Sequence, residues 1–158
     1  MQQHPISPVY DRHCSTLILG TFPSVASREA MFFYGHPQNR FWRVLAAVFG
    51  AEAPITHEEK TAFLIAHNIA LWDVIQSCAI TGSSDSSIKN VTANNITGLI
   101  AKAPITRIFT NGMTAHRLYQ KYCAAAVGIT DTPLPSTSPA NAAYSLEKLI
   151  DHWKIIAH

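Results

Sequence analysis

The sequence contains few charged residues, and their charges nearly cancel. Of 158 residues, 12 are lysine or arginine and 10 are aspartate or glutamate, which leaves a formal net charge of +2. Proteins that hold nucleic acid mainly by electrostatic attraction are strongly basic. The composition therefore does not indicate such a protein, and any nucleic-acid contact must use a local patch of modest, salt-sensitive affinity.

Cysteine is also scarce, and its spacing does not suit a metal site. The three cysteines, Cys14, Cys78 and Cys123, lie far apart, without the close pairs that zinc sites use. The eight histidines include no HxH or HExxH arrangement. We expect free and mostly buried thiols, no metal and no cofactor.

Long apolar runs are missing as well. No stretch approaches the roughly 20 consecutive apolar residues that cross a membrane, and residues 1–12 are polar and contain prolines. We expect an intracellular, cytoplasmic protein that is a monomer and has no membrane contact. Its length predicts one domain over residues 1–158, in which residues 1–12 form a flexible N-terminal segment.

Three common motifs of α/β enzymes are absent. The chain has no G-x-S-x-G nucleophile elbow, no P-loop and no G-x-G-x-x-G. These absences argue against an ordinary α/β hydrolase and against a nucleotide-binding protein.

What the chain does contain is an alternation of strand-like and helix-like segments. The apolar run Leu17–Leu19, ending at Gly20, predicts a buried strand followed by a tight turn. Alternating segments predict right-handed βα units, and hence a three-layer α/β/α sandwich with a central, mostly parallel sheet of about four strands. The predicted strands cover residues 15–20, 69–75, 105–110 and 128–132, and the predicted helices cover 40–49, 56–66, 94–102, 113–126 and 145–156.

An aromatic stretch follows the first strand. Phe32, Phe33 and Tyr34 lead through Gly35-His36-Pro37 to Asn39, where a helix is predicted to begin. Ligands bind beyond the carboxyl ends of parallel strands, so this stretch is a candidate site. The alternative is that the aromatic rings belong to the core and Asn39 is only a helix cap.

Two separated motifs carry a family resemblance. Gly20-Thr21-Phe22-Pro23-Ser24 together with the segment 34–42 resembles the first motif of the uracil-DNA glycosylase superfamily, and the segment 134–141 resembles its second motif. The match is most similar to the hypoxanthine (deoxyinosine) DNA glycosylases, with the mismatch-specific uracil/thymine glycosylases as relatives. The resemblance implies the same fold. Branches that carry an iron–sulfur cluster need four cysteines, which this chain lacks.

The resemblance implies roles in the first motif. Tyr34 occupies the position where mismatch-specific relatives stack a phenylalanine on the flipped base. Other relatives carry Asp or Asn before the motif-one proline to position water, but this chain has Phe22, whose side chain accepts no hydrogen bond. The resemblance implies that Asn39 is the catalytic residue instead, with its role as a simple cap as the alternative.

The second motif departs from other branches too. Ser138 stands where they have histidine or asparagine. The segment 140–142 would fill the space left by the extruded base, but its side chains are small, so Tyr144 is an alternative for this role. Ser136 and Ser138 are expected to contact phosphate, as is at least one arginine, Arg40 or Arg43, of the helix after the aromatic stretch. The expected base-binding residues are Gly20, Phe22, Pro23, Tyr34, His36, Ser138 and Asn141, and the expected DNA-contacting residues are Arg40, Ser136, Ala140, Ala142 and Tyr144.

The predicted activity is release of a deaminated base from DNA, chiefly hypoxanthine, by a monofunctional DNA glycosylase in base excision repair. Neither motif contains a lysine for a Schiff base. Asp73 and Asp85 remain alternative acid–base groups. A G:U/G:T mismatch-specific glycosylase and a damaged-DNA-binding module without catalysis remain the alternative functions.

Overall fold

The computed structural model describes residues 1–158, which form seven strands and seven helices. The strands are β1 (Gln2–Gln3), β2 (Thr16–Gly20), β3 (Ile69–Asp73), β4 (Ile75–Ala79), β5 (Lys89–Ala93), β6 (Arg107–Asn111) and β7 (Asp131–Leu134). The helices are α1 (Val25–Ala30), α2 (Phe41–Val48), α3 (His57–Ala66), α4 (Ile96–Ile100), α5 (Met113–Tyr122), α6 (Ala124–Val127) and α7 (Leu146–Trp153).

The central sheet is parallel and has the order β3-β2-β6-β7. All five residues of β2 are buried, as expected for a central strand covered on both faces. Ile18 belongs to a core shared with α2, α3 and α7, whereas Leu17 and Leu19 belong to a second core shared with α4 and α5. The alternation of side chains along one strand thus separates the helices into two layers, and the predicted three-layer sandwich is confirmed.

A second, smaller sheet was not predicted. The strand expected over residues 69–75 ends at Asp73, and after Val74 the chain continues as β4, which pairs with β1 and β5 in antiparallel order. The β5 segment is polar and largely exposed, so it lacks the apolar alternation that would reveal a strand. The predicted polar loop before it is a serine-rich turn with a short 3₁₀ segment at Asp85–Ser87.

The first twelve residues, expected from the sequence to be a flexible segment, make specific contacts with the rest of the chain. Gln2 and Gln3 pair with β4, the His4 amide donates to the Gln76 carbonyl at 2.7 Å, and Val9 forms a bridge with Leu71. Ile6 and Val9 are buried in the core. Backbone pairing and two buried apolar side chains therefore anchor this segment together.

The predicted start of α3 is confirmed, whereas the limits of two other elements differ from the prediction. The predicted capping box is present, since Thr56 accepts from the Glu59 amide and Glu59 accepts from the Thr56 amide, and α3 follows it. The helix expected over 113–126 is divided at Cys123. The last strand lies at Asp131–Leu134 rather than 128–132, with its proline on the edge strand, where prolines are tolerated.

Candidate active site

The last residues of all four parallel strands line one cavity. Gly20, Asp73, Asn111 and Leu134 lie at the carboxyl ends of β2, β3, β6 and β7, around a cavity of about 1030 Å³. Such a volume is at the upper end of ligand sites. Eleven of the thirteen site residues expected from the sequence line it: Gly20, Phe22, Pro23, Tyr34, His36, Asn39, Ser136, Ser138, Ala140, Asn141 and Tyr144. Arg40 and Ala142 do not.

The oxygen and the nitrogen of the Asn39 side-chain amide lie in different environments. Its Oδ1 accepts hydrogen bonds from the Phe41 backbone N–H at 3.0 Å and from the Thr137 hydroxyl at 2.9 Å. A backbone N–H can only donate, so it fixes which end of the amide is oxygen. The Asn39 NH₂ group makes no hydrogen bond within the protein, and the residue lines the cavity. Asn39 therefore supports the start of α2 through its oxygen and leaves two donors for a ligand.

Thr137 links the two motif loops to the central sheet. It is fully buried, and Asn111 at the end of β6 both accepts from its amide and donates to its hydroxyl, each at 3.0 Å. The Thr137 carbonyl accepts from the Arg40 amide at 3.1 Å. Because each partner is satisfied, the network holds the Asn39 side chain in one orientation.

Tyr34 lies in the cavity wall with one ring face covered. Its ring stacks on Phe41 at a centroid distance of 4.0 Å, and its φ of 52° is in the left-handed region, which aromatic residues rarely adopt. Its buried hydroxyl has no hydrogen-bond partner. Burial, with the nearby charge of Asp73, raises the pKa of Tyr34 well above its usual range, so the hydroxyl stays a neutral donor.

Gly20 is needed because the wall is tight at this point. A Cβ on Gly20 would collide with Oδ1 of Asp73 and lie 2.8 Å from the Tyr34 hydroxyl oxygen. The glycine thus allows a carboxylate and a phenol to meet at the end of β2.

Two carboxylates face the cavity in different ways. Asp73 is buried, and its Oδ2 lies 2.7 Å from Nε2 of His4, while its Oδ1 makes no hydrogen bond within the protein. Asp85 lies in the exposed serine-rich turn at the cavity edge. Although the residue is exposed, protein atoms crowd its carboxyl at the cavity edge, and this partial desolvation together with the charge of Asp73 raises the pKa of Asp85, which Arg117 partly opposes.

Phe22 is a wall rather than a water-binding group. The His4 ring meets it edge-on at 5.9 Å, and the Arg28 guanidinium lies 5.4 Å from its centroid. Arg28 also donates to the carbonyls of Pro23 and Gly82, and so joins the first motif to the serine-rich turn.

The Arg40 side chain, which was expected to contact DNA, is engaged within the protein. Its guanidinium donates to the backbone carbonyls of Tyr144, Ser138 (2.9 Å) and Asn141 (3.1 Å), all in the second motif loop and the segment after it. These contacts turn the group into the protein, away from a free phosphate-binding position. Arg40 therefore shapes the second motif loop, and Arg43 is the exposed arginine of this helix.

Serines fix the remainder of that loop. The Ser136 hydroxyl accepts from the Ser138 amide at 3.2 Å, and the Ser138 hydroxyl accepts from the Ala140 amide at 3.1 Å. The side-chain NH₂ of Asn141 donates to the Ser136 carbonyl at 3.0 Å. Both serine hydroxyls keep a hydrogen atom that can be donated to an anion.

The rim of the cavity contains an exposed apolar side chain. Met113, the first residue of α5, is 56% exposed and lines the cavity. Tyr144, the bulky candidate of the second motif region, is half-buried and packs edge-on against His152 at 5.6 Å. Ala142 is exposed and does not line the cavity.

Four residues that form or support the candidate active site were not identified from the sequence: His4, Asn111, Met113 and Thr137. Asn111 and Met113 flank the predicted strand-to-helix junction, so the rule that ligands bind at strand ends could have identified them. Thr137 lies inside the second motif but carries no chemical signal of its own. Nothing in the sequence links His4 to Asp73.

None of the helices has both the length and the apolar character needed to cross a bilayer. No group of three or more His, Cys, Asp or Glu side chains is arranged to hold a metal ion.

Comparison with known proteins agrees with the fold. Residues 7–157 match the family model described as the uracil DNA glycosylase superfamily. The chain is 32% identical over 152 residues to the hypoxanthine DNA glycosylase of Methanosarcina acetivorans, covering 95% of both chains. It is 33% identical over 105 residues to the enzyme of the same description from Methanosarcina barkeri, covering 66% of both. The solution NMR structure of a proposed uracil DNA glycosylase from M. acetivorans superposes with a TM-score of 0.81, at 30% identity and 99% coverage of both chains.

Proposed function

The chain belongs to the uracil DNA glycosylase superfamily, and we propose that this DNA glycosylase acts on hypoxanthine, which it releases from DNA as a monofunctional enzyme. One observation carries the proposal. The Asn39 amide is held at its oxygen and unpaired at its nitrogen, in a cavity where the residue before Pro23 is Phe22. The relatives described as hypoxanthine DNA glycosylases support the choice of base.

The reaction is a hydrolysis of the N-glycosidic bond. The target nucleotide is turned out of the duplex into the cavity, at a cost of a few kcal/mol. The bond between C1′ and N9 breaks, and its electron pair leaves with the base. Water adds through its oxygen to the cation-like C1′, and the proton it loses neutralises the departing base. The products are free hypoxanthine and an abasic site.

Asn39 contributes by donating hydrogen bonds where negative charge develops. Its free NH₂ can donate to the departing base, and its fixed Oδ1 keeps those donors aimed into the cavity. An amide is not a strong base, so we assign no proton abstraction to Asn39. Positioning and leaving-group stabilisation can lower most of such a barrier.

Asp73 supplies an acceptor that suits hypoxanthine. Its Oδ1 has no partner in the protein and lies at the end of β3 in the cavity wall. Hypoxanthine carries a hydrogen on N1, which a carboxylate accepts, whereas adenine has a lone pair there that a carboxylate repels. This contact favours hypoxanthine over adenine, and the Tyr34 ring, stacked on Phe41, supplies the apolar surface beside the base.

The duplex is held at the rim of the cavity. Ser136 and Ser138 offer hydroxyl donors for phosphate, and Arg117 is an exposed arginine near Asp85. Met113 is the exposed apolar residue best able to occupy the gap that the extruded nucleotide leaves. We propose that a monomer is the active form and that it works in the compartment that holds the DNA.

A panel of labelled duplexes tests this function. Each duplex carries one hypoxanthine, uracil, thymine opposite guanine, xanthine or ethenoadenine, with an adenine duplex as the control, and abasic sites are detected by alkaline cleavage. We expect release of hypoxanthine whichever base opposes it, and weak or no release of uracil. Efficient uracil or thymine release without hypoxanthine release would move the chain to the mismatch-specific branch, and tight binding without any release would make it a binding module.

A further inference from the structure

We propose that His4 is a positioning residue of the active site, which acts by holding the Asp73 carboxylate; this rests on the proposed role of Asp73 in reading the base. The two side chains are almost completely buried, with exposed fractions of 2% for His4 and 5% for Asp73, and Nε2 lies 2.7 Å from Oδ2. They are 69 residues apart in sequence.

The hydrogen bonds of His4 define where its proton lies. Its Nδ1 accepts from the Ile6 backbone N–H at 3.2 Å, and a backbone N–H can only donate. Nδ1 therefore carries no hydrogen, and the single proton of the neutral ring is on Nε2. It follows that Nε2 of His4 donates this hydrogen bond and that Oδ2 of Asp73 accepts it.

The surroundings of the ring leave it little freedom to turn. Phe22 meets it edge-on at 5.9 Å and Phe33 lies 6.1 Å away at a tilt of 48°. The backbone on the N-terminal side is paired with β4. The short strand β1 thus places His4 beside Asp73. Phe22, which stands where other branches have a polar residue, is one of the rings that pack around His4.

The consequence for the cavity is a defined acceptor. With Oδ2 engaged by His4, Oδ1 is the oxygen left to face a base. A buried carboxylate that loses its donor turns towards another partner, because an unpaired buried charge is unfavourable. This movement misplaces the acceptor that reads N1 of hypoxanthine. The N-terminal segment is therefore part of the active site and not only a packing element.

The experiment measures single-turnover release of hypoxanthine, duplex affinity and thermal unfolding for four variants of the full chain. His4→Phe keeps a ring for Phe22 and Phe33 but has no donor. His4→Gln places an N–H near the position of Nε2, and His4→Asn places it too far back to reach Asp73. Val9→Ala loosens the same segment without touching the pair.

We expect His4→Phe and His4→Asn to release hypoxanthine roughly tenfold or more slowly, as for loss of a hydrogen bond to a charged group, with unchanged duplex affinity. His4→Gln should recover most of the rate. Val9→Ala should release base more slowly only to the extent that part of the protein is unfolded.

The inference is overturned if His4→Phe or His4→Asn releases base at the wild-type rate, if His4→Gln is as slow as they are, or if folded Val9→Ala is equally slow. Should His4→Phe fail to fold, the comparison of Asn with Gln decides. A wild-type protein that releases no hypoxanthine would instead overturn the proposed function.

Discussion

The Thr137 hydroxyl donates a hydrogen bond to Oδ1 of Asn39 at 2.9 Å and joins two motifs that are 98 residues apart in sequence. Thr137 has no exposed surface and accepts in turn from Asn111. The orientation of the proposed catalytic amide is therefore set by a buried network that begins at the end of β6. Removing one member leaves polar groups without partners, which costs more than the bond alone.

Thr137→Val tests this network. Valine has a similar shape but no hydroxyl, so Oδ1 of Asn39 keeps only the Phe41 N–H and the Asn111 NH₂ loses its acceptor. We expect a loss of about 1–3 kcal/mol in the free energy of unfolding, and slower base release by the folded fraction. The exposed Thr132→Val is the matched control. Chemical denaturation and single-turnover kinetics check both, and equal behaviour of the two variants would contradict the network's role.

Arg40→Lys separates loop shaping from phosphate binding. Lysine keeps the charge but lacks the planar fork that reaches three carbonyls at once. We expect lower stability and slower base release, with the salt dependence of duplex affinity unchanged. Arg43→Lys, at an exposed position of the same helix, is the control. If Arg40→Lys behaves as wild type while Arg40→Ala lowers the salt slope by about one, Arg40 contacts phosphate after all.

Asp73→Asn tests how the base is recognised. Asparagine has nearly the same shape, but its NH₂ can donate to N1 of adenine, which the carboxylate repels. We expect hypoxanthine release to fall by roughly tenfold or more, and the preference for hypoxanthine over adenine to narrow. Parallel release assays with hypoxanthine and adenine duplexes measure both quantities. Unchanged rate and unchanged preference would remove Asp73 from base recognition.

Met113→Ala tests the residue assigned to the gap in the duplex. Single-stranded DNA leaves no gap to fill, so only the duplex reaction should suffer. We expect a loss of about tenfold with duplex substrate, since an inserted apolar side chain offsets a few kcal/mol of unstacking, and little change with single-stranded substrate. Met113→Leu should recover the duplex rate, and Met31→Ala, another exposed methionine, is the control. Equal losses on both substrates would contradict the assignment.

Much of the architecture could be predicted because it depends on local patterns. The apolar run before Gly20, the capping box at Thr56 and the strand-to-helix junction at Asn111 each define an element without knowledge of its neighbours. The parallel sheet then follows from the alternation of elements, and with it the position of the cavity. The two motifs accordingly come together where the strands end.

What could not be predicted depends on contacts between distant segments. Nothing local reveals that His4 reaches Asp73, or that the Arg40 guanidinium is taken up by carbonyls 98–104 residues away. The strand β5 has too little apolar character to be recognised, and it forms because β4 offers an edge to pair with. The aromatic stretch could not be assigned to core or cavity either, since Phe33 and Tyr34 both line the cavity while Phe33 is buried in the core and Tyr34 packs against it.

The account depends most on the Asn39 amide, and single-turnover release of hypoxanthine by Asn39→Ala, measured beside thermal unfolding, tests it most directly. We expect a loss of about 2–3 kcal/mol in transition-state stabilisation, a rate loss of roughly a hundredfold, as for removal of one preorganised donor. Asn39→Asp should also be slow, because a carboxylate cannot donate. If Asn39 only supported the start of α2, the alanine variant would lose about 1 kcal/mol of stability and keep its rate per folded molecule. Full activity of folded Asn39→Ala would contradict the mechanism proposed for this site.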